Sequence, residues 1–464
     1  MTPRLRSLAA ALVLAAMTAL SATSAWARPG GGQDYRGSSP GSSGGSASVR
    51  HSVAPSTAAG DANEEGDGSA NPWVVVPPLL LFIAGFFIFV VRDTRSAPAA
   101  RGSGQAGAPA PTPPVPPALA DTRFQSRARA LFEALNAAWM RRDLSPVRTR
   151  LSDATFQRLT TQLRLLQAQG LRNATSDWAL QELRAVASEQ DRTFDTLHVH
   201  VRAQGRDRDV PSHLEDDEAR AAANEAPLHP YEERWTFLRR RDASVASDAD
   251  GACPGCGAPL ELGETAACAH CKAIVNSGKY DWVLAEMTQA VEARAPAPLP
   301  PGADALREQD PGFSRQVLED RASLLFWRWV QAQATQDTRV LAKVATPEFL
   351  EQVASDISGR APRSFQQCAV GAVALTALRL ELETQHAFLE VRWSVERSPR
   401  RSVLELRRSA GAQTPEASLS TARCPACSGP LGDNGQPTCE YCGELLAASP
   451  RDWVLAGVVA QRAG

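Results

Sequence analysis

The chain has 464 residues, room for two or three domains. A formal net charge of −2 excludes a strongly basic nucleic-acid binder by bulk charge, and 43% hydrophobic residues is ordinary for a globular protein. The 33 Pro and 32 Gly exceed what packed domains need, and many fall in the first 120 residues.

Arg4 and Arg6 precede an apolar run over 7–20, and Ala25-Trp26-Ala27 is a small-x-small cleavage site. Residues 1–27 therefore read as an export signal rather than a core helix. Residues 28–72 are Gly/Ser-rich, bury little and are expected to be disordered. Residues 73–91 carry no charge. At about 1.5 Å per residue they span about 28 Å, close to a hydrocarbon core of about 30 Å. Trp73 sits where an interfacial aromatic belongs, and Pro77 and Pro78 fall in the first turns. Acids (Asp61, Glu64, Glu65, Asp67) precede this expected transmembrane helix, and Arg92, Arg95 and Arg101 follow it. The basic side stays inside, so the C-terminal body is expected in the cytoplasm of a bacterial-type inner membrane. Residues 92–120 are an Ala/Pro/Gly-rich, semi-rigid spacer.

The body is an internal repeat. Eight of the nine Cys form four C-x-x-C pairs: Cys253-x2-Cys256-x11-Cys268-x2-Cys271 recurs as Cys424-x2-Cys427-x11-Cys439-x2-Cys442. Asp281-Trp282-Val283-Leu284-Ala285 recurs as Asp452-Trp453-Val454-Leu455-Ala456. The first repeat is placed at 121–290 with a ribbon over 253–271. A Pro-rich linker follows at 291–313, and a divergent second repeat at 314–464 with a ribbon over 424–442.

In the first repeat Phe124, Ala128, Leu131, Leu135, Ala138 and Trp139 fall on one helical face. After Leu144-Ser145-Pro146 a second helix is expected from about 147 to 169, stopped by Gly170. Alternation predicts strands at 193–203 and 234–240, and at 387–395 and 402–407 in the second repeat. The segment 205–230, with Glu215-Asp216-Asp217-Glu218, reads as a solvated loop; a metal site using His213 and these acids is the minor alternative. Each ribbon is inserted between the last two strands of an α+β repeat.

Two C-x-x-C knuckles eleven residues apart make one tetrahedral thiolate site. Cys253, Cys256, Cys268 and Cys271 form the first set and Cys424, Cys427, Cys439 and Cys442 the second, both expected to hold structural Zn2+. Disulfides require an oxidising compartment, and a redox dithiol requires one C-x-x-C at a helix start rather than four in matched sets. An iron–sulfur cluster is the remaining alternative. His270 reads as a surface residue and Cys368 as a core thiol. Glu261, Glu264, Asp433, Glu440 and Glu444 make the ribbons acidic, so they repel phosphate and suit strand bracing or protein binding better.

Residues 122–289 resemble the domain of the mitochondrial import-motor anchor, inner-membrane translocase subunit 44, in its bacterial form. The resemblance rests on Ala138-Trp139…Asp143-Leu144, the Leu151–Phe156 segment, Glu233-Arg234-Trp235-Thr236-Phe237 and the strand at Trp282. It implies a cone-like domain similar to nuclear transport factor 2, associated in mitochondria with lipid binding and scaffolding, and with the internal repeat the expected fold class is tandem cone-like α+β domains. The ribbons, the anchor and the duplication depart from that pattern.

The expected function is thus a non-enzymatic, membrane-anchored scaffold binding protein partners or a lipid surface, for which Arg239-Arg240-Arg241, Arg400-Arg401 and Arg407-Arg408 are the basic runs. The alternatives are nucleic-acid binding through the ribbons and an enzyme using a pocket of the cone. His198 and His200 alternate on one strand and so face the same side, with inward as one option; a buried, hydrogen-bonded or surface pair is the preferred role. Phe388 and Glu390 replace them in the second repeat.

Overall fold

The computed structural model describes residues 122–461 apart from 245–250, 261–265, 294–295, 364, 366–367, 396–397, 420, 433 and 448–449. The expected signal, Gly/Ser segment, span and spacer lie outside the described residues. Among the described residues no helix is long and apolar enough to cross a membrane.

The apolar stripe read from the sequence becomes the buried face of α1 (Thr122–Met140). Trp139 closes its end, with Nε1 donating to Asn173 Oδ1 at 3.0 Å. The second helix does not start at 147. Residues Ser145–Arg150 form a 3-10 turn, and Leu151 is extended and bridges Leu284. Only then does α2 (Asp153–Ala168) begin, with Ser152 Oγ accepting from Thr155 N at 3.0 Å. A side-chain cap satisfies one of the N–H groups that a helix start leaves without a partner.

The sheet is an antiparallel meander in the order β1 (Leu171–Gln190), β2 (Phe194–Pro211), β3 (His229–Arg240), β4 (Val283–Gln289). Sequence reading misses β1 altogether. Its pairing with β2 slips between Ser176 and Ala179, Leu180 and Glu182, and Ala185 and Ala187, and each bulge resets the alternation that marks a strand. The segment 205–230 is also not a loop. β2 continues to Pro211, and Asp216–Asn224 is a helix, α3, with a Glu215/Glu218 capping box. The acidic run is its cap and first turn, where negative charge suits the helix dipole. Ala219 and Ala223 bury against Met140, Ala174 and Val210.

The second repeat replays this plan. It contains α5 (Arg315–Thr335), a 3-10 turn at Thr338–Leu341, α6 (Pro347–Ile357) capped by Thr346, and the meander β5 (Ala369–Leu380), β6 (Thr384–Val395), β7 (Ser398–Ser409), β8 (Val454–Gln461). Ser152 N donates to Leu284 O at 3.0 Å and Thr346 N to Leu455 O at 2.9 Å, so the join of cap to last strand is duplicated. β5 escapes sequence reading for the same reason as β1, with slips after Val370 and Leu375. Cys368, just before it, is partly buried and packs against the second core, and burial pushes its thiol pKa up. The stretch read as a linker, 291–313, contains the short helix α4 (Ala303–Gln309). Asp310 behind it forms a buried pair with Arg408 at 2.8 Å.

The described residues fall in one compact unit, and the repeats pack on each other. Every side chain of α5 from Gln316 to Gln333 except Glu319 is buried. One face of α5 fills the second core with Leu325, Phe326 and Trp329. Val317 instead joins Phe194, Leu238, Val283 and Ala285 on the outer face of the first sheet, together with Leu419 from the connector before ribbon two. Arg158 of α2 pairs with Glu286 of β4 and donates to Ser323 of α5 at 2.9 Å. Asp320 lies 3.3 Å from Thr155 Oγ1, whose hydroxyl is 2.8 Å from Ala285 O.

Burial and the neighbouring Glu286 raise the Asp320 pKa well above its ordinary value, despite Arg158. The folded state thus holds a proton that the unfolded chain releases above about pH 4. A carboxyl raised in this way favours folding at low pH and loses that contribution as pH climbs towards its folded pKa. Asp320→Asn mimics the protonated form. It is expected to melt above the parent at pH 8, and the two melting temperatures should converge as pH approaches about 4.

Candidate metal centres

Each ribbon leaves the sheet after its third strand and returns at its fourth. It consists of two knuckles, each with its own short bridge: Ala252 with Pro259 and Ala267 with Ile274, then Arg423 with Pro430 and Thr438 with Leu445. In every knuckle the first Cys amide is bonded across the turn, from Cys253 N to Ala258 O, Cys268 N to Ala273 O, Cys424 N to Gly429 O and Cys439 N to Glu444 O. The residue after the second Cys takes positive φ in all four: Gly257 (74°), Lys272 (63°), Ser428 (59°) and Gly443 (72°). Glycine meets this requirement without strain, whereas Lys272 and Ser428 adopt it as side-chain-bearing residues.

These turns converge the sulfurs. The Sγ atoms of Cys253, Cys256, Cys268 and Cys271 lie within 4.8 Å of one another, as do those of Cys424, Cys427, Cys439 and Cys442. Closest pairs are 3.6 Å (Cys253–Cys271) and 3.9 Å (Cys256–Cys268) in the first cluster. In the second they are 3.7 Å for both Cys424–Cys442 and Cys427–Cys439. A tetrahedron of thiolates about 2.3 Å from zinc has edges of about 3.8 Å, whereas a disulfide places its sulfurs about 2.05 Å apart. The spacing fits a four-thiolate ion site and no disulfide. Amides point at the sulfurs: Gly255 N to Cys253, Ala426 N to Cys424, Gly429 N to Cys427 and Tyr441 N to Cys439, each at 3.4 Å. Such donors favour thiolate over thiol. One Cys of each knuckle is buried and the other exposed. His270 is exposed and takes no part in the cluster, as its sequence context suggests.

The clusters differ in surroundings. Tyr280 lies against the first, where a Cβ on Gly255 would meet its hydroxyl at 3.0 Å. At the second, Tyr441 lies across the knuckle, and a Cβ on Gly429 would meet its ring at 2.8 Å. Tyr441 and Leu445 remain 65% and 53% exposed.

The histidines do not face into the first core. Leu197, Val199 and Val201 do, so His198 lies on the outer face, turned towards the second repeat. It enters a cavity of about 490 Å³ between the repeats, with Glu189, Arg234, Arg315 and Glu319. Thr236 Oγ1 and Glu189 Oε1 each lie 3.0 Å from one of its ring nitrogens, and Arg315 pairs with Glu189. Burial, aided by Arg234, lowers the His198 pKa to about 4. A neutral ring with both nitrogens engaged is a structural histidine rather than a general base. His200 does not line the cavity; Glu232 is 3.6 Å from its Nε2. His213 follows β2 in the turn before α3 and belongs to no metal-ligand cluster among the described residues.

Sequence spacing alone identifies the eight sulfurs. It does not identify Gly429 and Tyr441, whose relation is spatial. Elemental analysis of the purified chain is expected to find about two zinc ions per chain, falling to about one in Cys256→Ser and in Cys427→Ser and to none in the double variant.

No curated protein matches the chain. A solved "Ntf2 like protein involved in plasmid conjugation" is 9% identical over 73% of this chain and 97% of its own, with a TM-score of 0.13 that carries no structural argument. The family model described as Tim44-like domain matches residues 106–250, ending just before the first ribbon.

Proposed function

We propose that the chain is a membrane-anchored scaffold whose two α+β repeats are tandem cone-like Tim44-like domains, each braced by a structural zinc ribbon. It binds protein partners, or a lipid surface, at the inner membrane. The sulfur spacing and the amides facing the thiolates support zinc. Four thiolates leave the ion no open position, so zinc supplies folding energy rather than a reaction. The Tim44-like match supports the domain assignment. The expected signal and the uncharged run 73–91 support the anchor, with the body inside.

The observation that carries the binding role is ribbon two. Tyr441 and Leu445 are large apolar side chains held in solvent on a knuckle that a metal would make rigid. An exposed aromatic on a preorganised surface is the kind of anchor that protein interfaces use. Ribbon one has His270 and Ile274 at the matching positions, so this surface belongs to the second repeat.

An enzyme is the second reading, because the cavity between the repeats holds His198 beside carboxylates. The saturated hydrogen bonding and lowered pKa of His198 weigh against it.

A photocrosslinking residue placed at position 441 in intact membranes is expected to give a discrete protein adduct. The same residue at Val291, which is 67% exposed on the body, should give none. Adducts at neither position, or equal labelling at both, would remove ribbon two as the partner surface.

A further inference from the structure

A second groove between the repeats has the opposite character to the acidic ribbons. It has three walls. Phe156, Thr160 and Arg164 of α2, with Arg148 from the preceding turn, form one. Arg321 and Arg328 of α5, with Arg339 and Lys343 around the following 3-10 turn, form another. The third is Thr421 of the connector with Leu431, Gly432 and Gly435 of ribbon two. The enclosed volume is about 180 Å³. Six cations line it, and no carboxylate does among the described residues.

The cations are held in place. Arg148 is buried, its guanidinium 4.5 Å from the Phe156 ring centre, and pairs with Asp153 through Nη2. Arg321 donates to Trp453 O at 3.2 Å and lies 3.5 Å from Asp452. Arg328 donates to Gln157 Oε1 at 3.2 Å. Lys343 donates to Gly432 O, with Glu440 at 3.8 Å, and Arg339 pairs with Asp337 at 2.7 Å. The ribbon loop is seated tightly, because a Cβ on Gly435 would meet Arg339 Cβ at 2.8 Å. The carboxylates thus pair with these cations without lining the groove.

Three donors in this lining are unmatched. Arg148 Nε and Nη1 and Thr421 Oγ1 are shielded from solvent and have no hydrogen-bond partner. A buried guanidinium N–H without an acceptor is costly, and an anion with several oxygens is the acceptor that several converging guanidinium forks suit. Low-dielectric walls lined with one sign of charge further concentrate such an anion.

We infer that this groove binds a small phosphate-bearing anion, held by Arg148, Arg164, Arg328 and Arg339 with Thr421. The site is distinct from the surface of ribbon two proposed to bind protein, although the ribbon's loop forms one of its walls. A recessed pocket made by both repeats selects a compact di- or oligophosphate or a single exposed headgroup phosphate. It does not suit an extended duplex.

The test is calorimetric titration of the full-length metal-loaded chain with inorganic pyrophosphate. Saturable binding is expected, weakening as salt rises. R164E/R339E alters two exposed side chains and leaves the buried Arg148 intact, and it should bind at least tenfold more weakly. R129E, on the exposed face of α1, should match the parent. Repeating the titration with phosphatidylglycerol vesicles separates the two phosphate sources. Competition by vesicles assigns a lipid headgroup, and undiminished pyrophosphate binding assigns a soluble phosphate; both support the site. Absence of saturable binding, or equal weakening by R129E, would overturn it.

Discussion

Arg158 pairs with Glu286 of its own repeat and donates to Ser323 of the other, and the arrangement of the molecule depends on that buried contact. Removing one member of such a pair leaves a charge without compensation, at a cost of about 3–5 kcal/mol. Asp153 makes a parallel connection. Its carboxylate takes Arg148, Asn276 Nδ2 and Ala422 N, and its own N–H donates to Leu419 O. The free N-terminus of α2 is therefore completed by the connector of the second repeat. Polar groups fix the register of this interface, and Val317 with Leu419 supplies its apolar filling.

The constraint explains why two copies of one plan have diverged. The outer face of the first sheet is covered by α5, so His198, Thr236 and Glu286 stand there among buried partners. In the second repeat Phe388, Glu405 and Gly457 occupy the corresponding positions, and the end of β8 is exposed, Val459 at 64%. The knuckles have not diverged in geometry, because four sulfurs converging on one point tolerate little variation. What differs is what each knuckle shows to solvent. Docking also creates space: the polar cavity around His198 and the cationic groove around Arg148 exist only because the repeats meet.

Legibility in the sequence follows the range of the interaction. The sulfur clusters were readable because their spacing is local and duplicated, and α1 because its stripe has an uninterrupted helical period. β1 and β5 were not, because bulges shift their alternation, and α3 was hidden because a capping run of Glu and Asp looks like a solvated loop. The true start of α2 depends on Leu151 pairing with Leu284, more than a hundred residues away. Neither between-repeat site could be found from the chain alone. Arg148, Arg328 and Thr421 lie far apart in sequence, and each alone looks like an ordinary surface residue.

The central claim is that both repeats and their connector fold as one body around α5, locked by buried ion pairs. Scanning calorimetry of the purified full chain tests it most directly. The account predicts one cooperative transition for the two repeats, with equal calorimetric and van't Hoff enthalpies, moving as a whole to lower temperature in Arg158→Leu. Two separate transitions, only one of them moved by that substitution, would contradict it.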